Sequence, residues 1–235
     1  MLFGRNRKKN KSSLSSSSGD RFGGNSTLKA VVSRAYGYAE INRIREKAIG
    51  ALLENDKKTI LIVSPRDDTG NTFLAAVLGY SIAYFNSKSV LLVDLNMRRP
   101  QLHLPFGLEM EKGFTEIASD AINWKEAVKS TGLVELKVVT AGEPDENLCY
   151  FLNRPILKDM IEQMKADYEV VIFDSSPLLH QNRNNCDPVQ LALICDMVLM
   201  VIEDKMTTKG ELKAAMDVVI NGGGTIDGVI YNRRL

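Results

Sequence analysis

The sequence predicts an α/β protein, a mainly parallel sheet flanked by helices on both faces. Two observations predict it. Six short apolar runs rich in β-branched residues follow one another along the chain, and they are continuous rather than alternating, as in strands covered on both faces. Stretches of helical spacing separate them, and strand, helix, strand in alternation requires crossovers and parallel pairing.

In chain order, a first amphipathic helix is expected over 33–53, with Tyr38, Ile41, Ile44, Ala48 and Leu52 on one face. The predicted strands are 59–63, 89–94, 136–140, 170–174, 197–202 and 228–231. Predicted helices are 73–85, 124–129, 154–165 and 209–220, the last stopped by Gly222-Gly223-Gly224. In such sheets ligands bind at the carboxyl ends of strands, so the residues just after each run are the ones to inspect.

Composition bounds the rest. The chain has 235 residues, 44% hydrophobic and 25% charged, enough for one large domain with a buried core. A formal net charge of +1 gives no global field, and no nucleic-acid partner is expected. Cys149, Cys186 and Cys195 match neither a disulfide framework nor a zinc spacing, which suits a reducing compartment. No apolar run reaches the ~20 residues needed to span a bilayer. Residues 1–27 carry Arg5, Arg7, Lys8, Lys9 and Lys11 and then a serine run, without an apolar signal core. They read as a solvated tail, or as a weak attractor for anionic lipid at ~1 kcal/mol per basic residue. Residues 28–235 form the predicted domain, on the cytoplasmic side of the membrane.

Three strand ends carry the chemistry. The first run leads through Ser64-Pro65-Arg66-Asp67-Asp68-Thr69-Gly70 into a helix opening Asn71-Thr72, the layout of a phosphate-binding loop. The second ends in Asp94-Leu95-Asn96-Met97-Arg98-Arg99, a carboxylate leaving a buried strand before a basic pair. Such a group can hold a metal or its water and face a phosphate. The fourth ends in Asp174-Ser175-Ser176-Pro177. Either aspartate alone can instead cap a turn. His103 and His180 stand alone and give no metal reading, while Trp124, Tyr231 and the Met197–Met200–Met206 series read as packing.

From Ala35 to Asn232 the sequence resembles the cytoplasmic domain of bacterial tyrosine kinases of polysaccharide export, relatives of the MinD/ParA P-loop ATPases. The most specific stretch is Asp94-Leu95-Asn96-Met97-Arg98-Arg99-Pro100-Gln101-Leu102-His103. Ala141-Gly142, Asp174-Ser175-Ser176-Pro177 and Val229-Ile230-Tyr231-Asn232-Arg233 also match. The resemblance implies ATP or ADP with Mg²⁺. Thr72, Asp94 and Asp174 would be on the metal side, Asp94 or Asp174 catalytic if the protein is active. Gly70, Asn71, Thr72, Arg66, Arg98 and Asn232 would contact nucleotide, with Asn232 near the adenine. It also implies the cytoplasmic segment of a membrane chain-length regulator as partner, and a homo-oligomer.

The departures are specific. Asn71 replaces the loop lysine, and losing such a charge costs on the order of 10²–10⁴ in rate. Asp67-Asp68 stand where the family has Pro-Gly, and Asn96 replaces a second acid. The C-terminal tyrosine cluster of the family is expected to be missing. The oligomer motif is half present, with Glu40 and Arg43 but Glu46 at the last arginine position, Arg45 lying about 100° away. Arg66 would either supply a phosphate charge or pair with Asp67 or Asp68. The resulting expectation is a catalytically impaired kinase-like scaffold. The alternatives are an active tyrosine kinase and a MinD/ParA-like positioning ATPase.

Overall fold

The computed structural model describes residues 39–54, 56–145, 154–180 and 186–233, with only the backbone at 154 and 156. The basic tail 1–27, the start of the first predicted helix and Cys149 lie outside the described residues.

The architecture is a seven-stranded sheet between two helical layers. Its elements are α1 (Ala39–Leu53), β1 (Thr59–Val63), α2 (Asn71–Asn86), β2 (Val90–Leu95), α3 (Phe114–Ala118), β3 (Val128–Ser130) and β4 (Leu136–Val139). They continue with α4 (Arg154–Asp167), β5 (Val170–Ser175), α5 (Pro188–Ala192), β6 (Met197–Glu203), α6 (Lys209–Asn221) and β7 (Gly228–Asn232). Strand order is β3-β4-β2-β5-β1-β6-β7, all parallel except the β3–β4 pair. The parallel sheet with helices on both faces is as predicted. Among the described residues no helix is long and apolar enough to cross a membrane.

Every residue of β1, β2, β5 and β6 is buried, which is why these strands read as unbroken apolar runs. One face, with Ile60, Ile62, Leu92 and Ile172, is covered by α1 and α2. The other, with Leu61, Val93, Phe173 and Met200, takes the remaining helices. The α2 helix is largely apolar and mostly buried, with Tyr84 and Phe85 exposed near its end. It lies so close to the sheet that a Cβ on Gly79 would meet Leu92 Cδ2 at 2.5 Å. On α1, Arg45 turns inward, donating to Ser81 Oγ at 3.3 Å and stacking its guanidinium over Phe85. It is thus held by contacts within the chain.

Several expectations are corrected. The stretch predicted as a helix over 124–129 is a 3₁₀ turn, Trp124–Ala127, followed directly by β3. A capping box between Asn123 and Glu126 starts the turn, and antiparallel pairing with β4 then extends the chain at Val128. Tyr231 is 65% exposed rather than core, because β7 is an edge strand whose apolar side chains are only partly covered. Met197 and Met200 are core residues, but Met206 lies exposed beyond β6. Trp124 is buried packing, as read.

Candidate functional site

The carboxyl ends of β1, β2 and β5 lie side by side, since β5 inserts between the other two. The loop after β1 is bent by two left-handed residues, Asp68 (φ 64°) and Gly70 (φ 101°). Asp tolerates this region better than most residues, so the loop keeps its curvature without a glycine at 68. Gly70 caps α2, and its carbonyl accepts the first helical bond, from Leu74 N at 2.9 Å.

The Asn71 side chain is buried within this loop. Its Nδ2 donates to Ser64 Oγ at 3.0 Å, and its Oδ1 accepts from Thr69 Oγ1 at 3.2 Å. Ser64 Oγ in turn donates to the Arg66 carbonyl at 2.9 Å. The loop's own hydroxyl and amide groups therefore satisfy one another. From the sheet edge, Asn232 Nδ2 donates to the Thr69 carbonyl at 2.8 Å.

The rim is charged but balanced. Arg98 faces Asp67 at 3.2 Å, Arg99 faces Asp68 at 3.3 Å, and Arg66 faces Glu211 at 3.8 Å. Arg66 also donates to the Met206 carbonyl at 3.2 Å. The pairing of Arg66 with Asp67 or Asp68 is thus corrected. Those carboxylates are reached by the Arg98-Arg99 turn, while Arg66 turns towards α6. His180 Nδ1 lies 3.2 Å from Asp67.

Beneath the loop, Asp94 and Asp174 are neighbours in register on β2 and β5, on the face that α2 covers, and both are fully buried. Asp94 accepts backbone N–H groups from Asn96, Gln101 and Leu102 at 3.0, 3.2 and 3.1 Å. The Arg98–His103 stretch therefore folds back on its own aspartate, anchored by the fully buried Leu102. Neither Asp174 oxygen completes a hydrogen bond of good geometry, although Thr72 lies close enough to draw its pKa down. Burial and the neighbouring Asp94 push Asp174 well above the usual carboxylate range. Burial raises Asp94 too, against the pull of its three backbone donors.

Above lies a small, solvent-open cleft. Of the predicted residues, Arg66, Gly70, Asn71 and Thr72 line it, whereas Asp94, Asp174, Arg98 and Asn232 do not. The sequence reading missed Ser64, Gln101 and Glu211. The Thr208-x-x-Glu211 capping box, which forms with Thr208 N donating to Oε2 at 2.8 Å, marks the start of α6 but not the approach of Glu211 to Arg66. Among the described residues no group of three or more His, Cys, Asp or Glu side chains is arranged to hold a metal.

A family model described as cellulose biosynthesis protein BcsQ matches residues 58–218, which contain all three strand ends. The chain belongs to that family. Its resemblance to bacterial tyrosine kinases also holds. The tyrosine-protein kinase YwqD of Bacillus subtilis is 28% identical over 189 residues, 80% of this chain and 78% of YwqD. The BceF tyrosine kinase domain superposes with a TM-score of 0.72 at 27% identity, covering 82% of this chain and 76% of that one. The cell-division ATPase MinD of Pyrococcus furiosus shares the fold, with a TM-score of 0.62, 19% identity and coverage of 74% and 71%. The fold is therefore MinD/ParA-like.

Proposed function

We propose that this chain is a catalytically impaired, kinase-like scaffold or regulatory subunit of exopolysaccharide synthesis and export. It acts on the cytoplasmic side of the membrane, docked on the cytoplasmic segment of a chain-length regulator, with residues 1–27 as a basic tail on the 28–235 domain. The observation that carries the reading is Asn71. In the lysine position its amide is spent inside the loop, on Ser64 and Thr69, and supplies no positive charge.

The family implies Mg²⁺ with ATP or ADP, and the residues fit it only in part. Asp174, orphaned beside Thr72, suits a divalent cation or its water. The phosphate side does not fit. Arg66, Arg98 and Arg99 already face carboxylates of this chain, and Asp67 and Asp68 turn anions towards the position of a polyphosphate. Calorimetric titration with Mg²⁺-ATP and Mg²⁺-ADP is the test. The wild type is expected to give no heat of binding, and micromolar affinity would overturn the reading.

One observation favours a second reading, an active tyrosine kinase. Asp94 and Asp174 stand side by side at adjoining strand ends, with Thr72 of α2 close to Asp174. That reading requires phosphate transfer to a tyrosine substrate, abolished by Asp94→Asn. Tyrosine phosphorylation by the wild type would establish it in place of the first.

A further inference from the structure

Asn232 ends β7, where the ladder with β6 fixes its backbone. It is in register with Glu203, and its carbonyl accepts from Asp204 N at 2.9 Å. From this fixed position the side chain reaches the loop after β1, two strands away, and donates to the Thr69 carbonyl at 2.8 Å. The next residue, Gly70, lies directly under the same amide, so that any Cβ there would collide with Asn232 Nδ2.

A trans peptide points its C=O and N–H in opposite directions. Holding the Thr69 oxygen towards β7 therefore aims the Gly70 N–H away from β7. The same clamp bears on the residue whose carbonyl starts α2, through Leu74 N at 2.9 Å. We infer that Asn232 is a positioning residue, which fixes the Thr69–Gly70 peptide and, through it, the direction of a loop N–H and the first turn of α2. This role needs no nucleotide and stands apart from a place near an adenine.

Amide hydrogen exchange on the ligand-free full chain tests it, comparing wild type with Asn232→Ala and Asn232→Asp. The aspartate keeps the shape but sets a carboxylate against the Thr69 carbonyl. The readout is protection at Leu74 relative to Phe173 in β5, because a general loss of stability lowers both together. The ratio is expected to fall at least tenfold in Asn232→Ala and at least as far in Asn232→Asp. An unchanged ratio in both variants, or a loss shared equally by Phe173, would overturn the inference. No nucleotide enters the experiment, so its outcome is independent of the titration that tests the proposed function.

Discussion

Asp174→Asn should make the protein more stable, and the gain should grow with pH. Asp174 is fully buried, its two oxygens complete no hydrogen bond, and burial and Asp94 raise its pKa well above the ordinary 3.8. Once the pH exceeds about 4, the unfolded chain releases this proton while the folded chain retains it. The folded state then binds more protons than the unfolded one, and stability falls with rising pH. The slope is at most ~1.4 kcal/mol per pH unit while the folded group stays protonated. Asparagine is neutral in both states and removes it. Between pH 5 and 6 the variant should therefore gain about 1 kcal/mol on the wild type, or ~2–4 °C in Tm for a domain of this size. Near pH 4 the two should melt together. Calorimetric melting across pH 4–7 checks this. A difference in Tm that stays constant with pH would show that Asp174 titrates normally, and the account of an orphaned, proton-holding acid would be wrong.

Two further substitutions probe the supports of the site. Asp94→Ala strands the N–H groups of Asn96, Gln101 and Leu102. Relief of the buried acid offsets part of that cost, leaving a net loss of about 3 kcal/mol, measurable by urea titration. Gly70→Ala should cost ~1–2 kcal/mol through its left-handed φ of 101° alone, and more through collision with Asn232. In a double-mutant cycle with Asn232→Ala the two losses should fall short of additive by at least ~0.5 kcal/mol.

The inner sheet was legible because β1, β2, β5 and β6 are buried on both faces and so appear as continuous apolar runs. Edge elements were less legible. Val128-Lys129-Ser130 is too short and mixed to announce a strand, and only pairing with β4 makes it one. Tyr231 sits in an apolar run, but sequence does not tell an edge strand from a central one. Asp94 and Asp174 were recognisable as strand-end carboxylates. Their lateral register depends on β5 inserting between β2 and β1, a consequence of topology. The contact of Asn232 with Thr69, and the choice of Glu211 over Asp67 by Arg66, join parts of the chain far apart in sequence. No local pattern encodes them.

Shape and charge are separable in the loop after β1, and on the proposed reading this sets what nucleotide binding would require. The loop is curved, Asp68 holding a left-handed φ of 64° that a glycine also adopts freely. The charge is balanced, since Asn71 is neutral and Asp67 and Asp68 face Arg98 and Arg99. Asn71→Lys alone adds a cation beside two anions. Asp67→Pro and Asp68→Gly with Asn71→Lys also removes both anions and releases both arginines. Each removed carboxylate relieves ~1 kcal/mol of repulsion at ~4 Å from a phosphate, even at the dielectric of water. The triple variant should therefore bind Mg²⁺-ATP at least about thirty-fold more tightly than Asn71→Lys, as read by calorimetry. Equal affinities would show that the two aspartates do not face the phosphate position, and that Asn71 alone limits affinity.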